Sequence, residues 1–347
     1  MNKQSVSSKS NSKSGGTIQD IFRNTKNNYF LQKLFGNLKR NKFLKIIKHN
    51  KKAQKILDIN INDYKEYSEN YSSIELEIIP ISDVYDKFIN IKENEEPYFH
   101  IYFNDSKIET KRNEIKKDEK VDKIKVIIDH QVKSFERLFA DCEIASSIYF
   151  KKFYRKNIVD MSKMFDNCFT IKEVDFSNCN TNNVTNMLGM FSECMLLEKI
   201  NFSNFNTNNV TNMCHMFSKC SNLKEINVSN FNTNKVTNMS YMFYGCASLE
   251  EINLSSFTTE KVTDMGFMFS SCQSLKKVDV SNFNTSNVTN MDSMFYECIN
   301  LSDINLDSFD TRKVTNMCAM FGECSDELQM MIQEKYKNIN EQAFYDE

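Results

Sequence analysis

Eleven cysteines give this sequence its widest chemical reach, because a thiolate can ligate a metal, attack a carbonyl or pair into a disulfide. Eight of them recur every 26 residues: Cys142, Cys168, Cys194, Cys220, Cys246, Cys272, Cys298 and Cys324. Each lies three places after a phenylalanine of the series Phe139, Phe165, Phe191, Phe217, Phe243, Phe269, Phe295 and Phe321. Cys179, Cys214 and Cys318 stand outside the series. No CxxC pair occurs, so the short ligand spacing of a zinc site is missing. One thiol per repeat reads as a small buried apolar group carried through a core. Disulfides between neighbouring repeats would need an oxidising compartment.

Other reactive groups are sparse. The histidines, His49, His100, His130 and His215, are scattered and form no HExxH pair. There is no GxSxG elbow, phosphate-binding loop or dinucleotide fingerprint, and none of the 46 acids is singled out as part of a catalytic pair. The expectation is a chain without catalytic residues, metal, cofactor or small-molecule substrate.

Positioning elements follow from the period itself, since a repeat of 26 residues is the signature of stacked units rather than of one globular core. In the clearest copy, Ile226 and Val228 are two apart and face one side of a strand, with Glu225, Asn227 and Ser229 on the other. Met239, Met242, Phe243 and Cys246 follow at i, i+3, i+4, i+7, the spacing of one face of a short helix. The fold expected is therefore an α/β repeat protein, a right-handed leucine-rich-repeat-like solenoid with a short strand and a short helix in each 26-residue coil. One coil buries about eight apolar side chains, roughly 12–24 kcal/mol, against a backbone ordering cost of about 1–2 kcal/mol per residue. A lone coil cannot fold, so its stability has to come from stacking.

The domain order expected is a polar tail over 1–16, a basic helical segment over 17–70, a β-rich adaptor over 71–130, repeats over 131–324 and a capping helix within 325–347. In the adaptor, residues 74–79, 98–103 and 123–128 are rich in strand formers. Ile124 and Ile127 fall at the repeat's apolar positions, so a first, atypical coil is expected there. Ser325 is placed to cap a last helix, with Leu328, Met331, Ile332 and Tyr336 at helical spacing.

Stacking would bring two polar columns into register on the strand face. One is Lys199, Glu225, Glu251, Lys277 and Asp303; the other is Asn201, Asn227, Asn253, Asp279 and Asn305. They are the candidate partner-binding residues. The alternative is self-satisfaction, with Lys199 paired to Glu225, Glu251 to Lys277, and the amides bonded up the ladder. A third column, Asn186, Asn212, Asn238, Asp264, Asn290 and Asn316, is expected to satisfy backbone groups at a turn.

Charge is uneven. Residues 1–56 hold 14 Lys or Arg against the single acid Asp20, a net +13 that leaves −15 for the rest of a chain of net charge −2. Such a segment is either a solvated helical face or a contact for anionic lipid or nucleic acid. The run Met1 to Gly16 has no apolar stretch, and nothing approaches the roughly 20 apolar residues needed to span a bilayer. A cytoplasmic monomer is expected on that basis.

The repeat text resembles a known family. Val210, Thr211, Asn212 and Met213, then Met216, Phe217 and Cys220, then Leu223 to Phe231, are similar to the 26-residue repeat of BspA-like leucine-rich-repeat surface proteins. Val288 to Met291, Met294, Phe295 and Cys298, then Leu301 to Phe309, match equally well, and the resemblance covers residues 132–324. It implies a non-enzymatic protein-interaction scaffold, displayed on a microbial surface and engaged in adhesion or recognition. A second resemblance, to an F-box, lies in Asn28 to Leu38, Phe43 to Ile47 and Asn50 to Gln54. It implies a ubiquitin-ligase substrate receptor whose helices over 17–63 dock the adaptor while the repeats bind substrate.

Overall fold

The computed structural model describes Leu44 and residues 47–345. The polar tail over 1–16, most of the basic segment and most of the F-box-like helices lie outside the described residues. The chain divides into two compact units, Met1–Ser68 and Glu69–Glu347.

In the first unit, helix α1 (Lys51–Ile56) is capped by Asn50, whose Oδ1 accepts the Ala53 amide at 3.0 Å. Leu44, Ile47 and Ala53 form a small core flanked by Leu57, Ile59, Tyr64 and Tyr67. Helix α2 (Ile61–Tyr71) follows.

The second unit opens with β1 (Ile74–Pro80), whose alternate residues are buried as the period-two pattern requires. A 3-10 turn (Glu93–Tyr98) leads to β2 (Phe99–Phe103), and a charged loop leads to β3 (Ile124–Ile128). Strand β3 lies antiparallel between β1 and β2, so Ile124 and Ile127 belong to this sheet and not to a first coil. Strand β4 (Ala145–Lys152) pairs antiparallel with β1 and parallel with β5 (Glu173–Asp175), which pairs parallel with β6 (Lys199–Asn201). The result is a mixed six-stranded sheet in the order β2-β3-β1-β4-β5-β6. A second, parallel sheet is β7 (Glu251–Ile252), β8 (Lys277–Val278) and β9 (Asp303–Ile304).

This architecture corrects the expected α/β solenoid of leucine-rich-repeat type. The molecule is built from mixed sheets with few helices, and no residue from Phe99 to Ser325 is helical. The segment spaced i, i+3, i+4, i+7 is a run of turns. Tyr241 and Gly245 have φ of 57° and 67°, and the same two positions are left-handed in the other copies, as at Gly189 and Glu193. A right-handed helix cannot pass through such residues. Amides therefore alternate in direction. Those of Met242, Tyr244 and Cys246 bond three residues back, at 3.1–3.2 Å, while those of Tyr241, Phe243 and Gly245 bond carbonyls 25 residues ahead, at 2.8–2.9 Å. Turns with a left-handed residue every fourth place give the buried spacing of a helix and direct half of the amides sideways into the next unit.

The core runs through these units. Phe139, Phe165, Phe191, Phe217, Phe243, Phe269, Phe295 and Phe321 stack face to face, with centroids 5.1–5.7 Å apart. Parallel bridges join Asn186, Asn212, Asn238, Asp264, Asn290 and Asn316 in register. At the C-terminal end, helix α3 (Asp326–Lys335) starts at Ser325, whose hydroxyl accepts the Leu328 amide at 3.3 Å. A final 3-10 turn (Glu341–Phe344) places Phe344 on Phe321 and takes up the Phe321 amide on the Ala343 carbonyl.

Candidate functional site

The thiol series does its work inside the core. Each Sγ from Cys168 to Cys324 donates to the carbonyl of the phenylalanine 29 residues earlier, at 2.8–3.2 Å. That carbonyl already accepts the amide three residues ahead of it, as Phe217 does from Cys220. A purely apolar side chain would leave the second lone pair empty. Burial pushes the Cys246 thiol from 9.0 to about 12, which keeps the donor protonated. All eleven cysteines are free thiols. Among the described residues, no group of three or more His, Cys, Asp or Glu side chains converges to hold a metal ion.

A second internal series escaped sequence reading. Thr181, Thr207, Thr233, Thr259 and Thr285 are almost fully buried, and each hydroxyl donates to a carbonyl 25 residues on, at 2.7–3.1 Å. The strict 26-residue recurrence of Thr is the signal that marks them. The Asn186 to Asn316 column does satisfy turns, each Oδ1 accepting the amide two residues ahead.

The ten candidate surface residues are all exposed. Their partners differ from the self-satisfied arrangement. Among the described residues, neither Lys199 with Glu225 nor Glu251 with Lys277 forms an ion pair; Lys277 reaches Asp303 at 3.4 Å instead. Nor do the amides bond up the ladder. Asn201, Asn227, Asn253, Asp279 and Asn305 each turn Oδ1 back onto the amide two residues ahead, at 2.9–3.1 Å. Hydrogen bonding to the Ser281 hydroxyl and amide lowers the Asp279 carboxyl below the usual range. In the four asparagines the Oδ1 contact fixes the amide orientation and turns Nδ2 away from its own turn.

Six of the ten residues are gathered at one place. Lys199, Asn201, Glu225, Asn227, Glu251 and Asn253 line a cleft of about 930 Å³, together with Glu173, Glu198, Ile200 and Ile226. Lys277 joins Lys199, Glu225 and Glu251 around an adjoining hollow of about 820 Å³. Asp279, Asp303 and Asn305 line neither.

The cleft lies where the sheet is interrupted. Residues 224–228 carry no strand, and among the described residues no backbone hydrogen bond joins them to 198–202. Their one backbone bond to the following unit is from the Glu250 amide to the Lys224 carbonyl, at 3.3 Å. Ile200 and Ile226 are consequently half-buried, whereas Val174, Ile252, Val278 and Ile304 at the same position are buried. Three rings, Phe202, Phe205 and Phe231, meet across this step, with Phe202 4.9 Å from Phe205 and 5.2 Å from Phe231. The preceding step, which is paired, also brings three rings together, with Phe176 6.0 Å from Phe202 and 5.2 Å from Phe205, so the number of rings does not set the open step apart.

Parallel stacking of like units, with an exposed polar face, defines a repeat protein whose recurring thiols bond within its core. A family model described as "Mycoplasma protein of unknown function, DUF285" matches residues 133–250 and again 217–335, together more than half of the chain. The chain belongs to this family, which is part of the BspA-like surface-repeat group. No curated protein and no solved structure matches it. Among the described residues, no helix is long and apolar enough to cross a membrane.

Proposed function

We propose that this protein is a non-catalytic scaffold that binds another protein through the polar face of its repeats, in adhesion or recognition. The observation that carries this reading is the cleft over residues 224–228. There Lys199, Glu225 and Glu251 have no ion pair among the described residues, and orientation-fixed asparagine amides stand beside half-buried Ile200 and Ile226. Fixed polar groups around an accessible apolar centre are the anatomy of a protein interface. The repeat thiols from Cys168 to Cys324 are bonded within the core, and burial holds thiols such as Cys246 protonated, which supports a binding role over a catalytic one.

The test is affinity capture by the full chain, compared with a Glu225→Lys, Glu251→Lys double variant and with a Glu260→Lys control. Glu260 is exposed and lines neither hollow. The proposal expects a protein held by the wild type and by the control but lost from the double variant. Equal recovery by all three would remove the face from the account.

A further inference from the structure

The turn segments that carry the Phe and Cys columns change in charge along the chain. Those over 134–143, 160–169 and 212–221 hold Arg137, Lys163, His215 and Lys219. The next four, over 238–247, 264–273, 290–299 and 316–325, hold Asp264, Asp292, Glu297 and Glu323 and no Lys, Arg or His. Half-exposed rings stand among these acids. Tyr241 and Phe267, at the same position of successive copies, stack with centroids 4.6 Å apart, and Tyr244 meets Tyr241 edge-on at 5.5 Å. The backbone sets the carboxylates beside them, because the Phe267 amide bonds the Asp292 carbonyl at 2.8 Å and the Ser271 amide bonds the Tyr296 carbonyl at 2.7 Å. Burial and then the Asp292 carboxylate raise the Tyr241 hydroxyl above its ordinary range. Among the described residues, no cation lies over these three rings, and neither Asp292 nor Glu297 has an ion pair. Glu297 accepts the Ser271 hydroxyl and the Gln273 amide, both at 2.7 Å, neutral donors that orient its carboxylate and leave its charge. Asp292 accepts the Ser293 hydroxyl at 3.0 Å. On the other side of Tyr241, His215 covers the ring at 4.4 Å and burial keeps it neutral, while Lys219 is taken by Glu193 at 2.8 Å.

We propose that this face docks arginine side chains of a protein partner. It is a second surface, sharing no residue with the lining of the cleft. A guanidinium packs against the exposed parts of Tyr241, Tyr244 and Phe267 and pairs with Asp292 or Glu297. Four successive turn segments without a basic residue are closed to an anionic partner, and an apolar one would leave the carboxylates buried and unpaired. The rings favour arginine over lysine, because a planar, weakly hydrated cation packs on aromatic side chains and bonds a carboxylate through two N–H groups.

The experiment uses the full chain and a labelled, end-capped peptide of alternating arginine and glycine, beside its lysine counterpart of equal length and charge. The readout is fluorescence anisotropy. The arginine peptide should bind about two- to fivefold more tightly than the lysine peptide, and its binding should fall as salt rises from about 50 to 300 mM. Tyr241→Ser, Phe267→Ser gives both positions the residue type of Ser293, which holds the same place in the next copy with the same left-handed backbone, φ 51° against 57°. This variant should lose the preference for arginine. Asp292→Asn, Glu297→Gln keeps the rings and should weaken both peptides about three- to tenfold. Glu225→Gln, Glu251→Gln alters only the cleft and should change neither. Equal affinity for the two peptides, or a preference that survives Tyr241→Ser, Phe267→Ser, would show a site for charge alone and overturn the proposal. So would unchanged affinity in Asp292→Asn, Glu297→Gln, or no binding of the arginine peptide at low salt. Weakening in Glu225→Gln, Glu251→Gln instead would put the arginines in the cleft, which overturns this surface and leaves the binding role of the cleft standing.

Discussion

At the scale of single residues, the thiol series separates what volume explains from what bonding explains. A small apolar side chain at each of these positions was legible in the period, because the spacing after phenylalanine fixes which way the residue faces. The S–H bond to a carbonyl one unit away was not legible, since it depends on how units stack. Cys246→Val tests the distinction. It keeps an apolar group of similar size but removes the donor to the Phe217 carbonyl, and should cost about 1 kcal/mol. An unchanged urea midpoint would mean that volume alone matters.

The same thiols predict a pH dependence. Burial raises Cys142, Cys246 and Cys324 from 9.0 to about 12 and raises the other buried thiols in the same direction. A raised folded value means that the unfolded chain loses its thiol protons at lower pH than the folded one. The contribution to stability is therefore complete below pH 9.0 and is lost as pH climbs towards about 12. A urea midpoint that falls over this window is expected, and a flat one would contradict the burial described.

At the scale of elements, the sequence told the buried face of each turn segment but not its type. Met239, Met242, Phe243 and Cys246 are all buried, as the helical spacing requires. A helix and a run of turns with left-handed residues share that spacing, and only two of the left-handed positions are glycine, Gly189 and Gly245. Residues such as Tyr241, Phe267 and Glu297 give no local sign of positive φ, because stacking against the neighbouring unit imposes it. Strands β1, β2 and β3 were easier to read, since alternation with period two has no such double. The central stack makes its own prediction. Phe243→Ala removes a ring flanked on both faces, by Phe217 at 5.5 Å and Phe269 at 5.6 Å, and should cost about 3–5 kcal/mol. Lys277→Ala breaks only an exposed pair with Asp303 and should shift stability by less than about 1 kcal/mol. Thermal denaturation of the two variants side by side checks both values.

For the whole molecule, register carries the account. Units in strict register leave few free backbone groups inside the stack, and the C-terminal end is closed by residues that imitate another unit. The Phe321 and Ala319 amides bond the Ala343 and Gln342 carbonyls, and the Tyr336 hydroxyl accepts the Leu306 amide at 3.2 Å. The helix after Ser325 was legible from its cap and its spacing; the closing turn through Phe344 was not, because nothing in that short stretch repeats the motif. The cleft was half legible. Its polar rows follow from the period, but its position over residues 224–228 becomes visible only once the units are stacked.

That interruption is the claim on which the binding face rests, and native-state hydrogen exchange on the full chain tests it directly. Amides of residues 225–227 should exchange much faster than those of Glu173–Asp175 in β5 and Lys277–Val278 in β8, because only the latter lie within paired sheet. Equal protection across all three segments would mean that the sheet runs unbroken and that no cleft opens there.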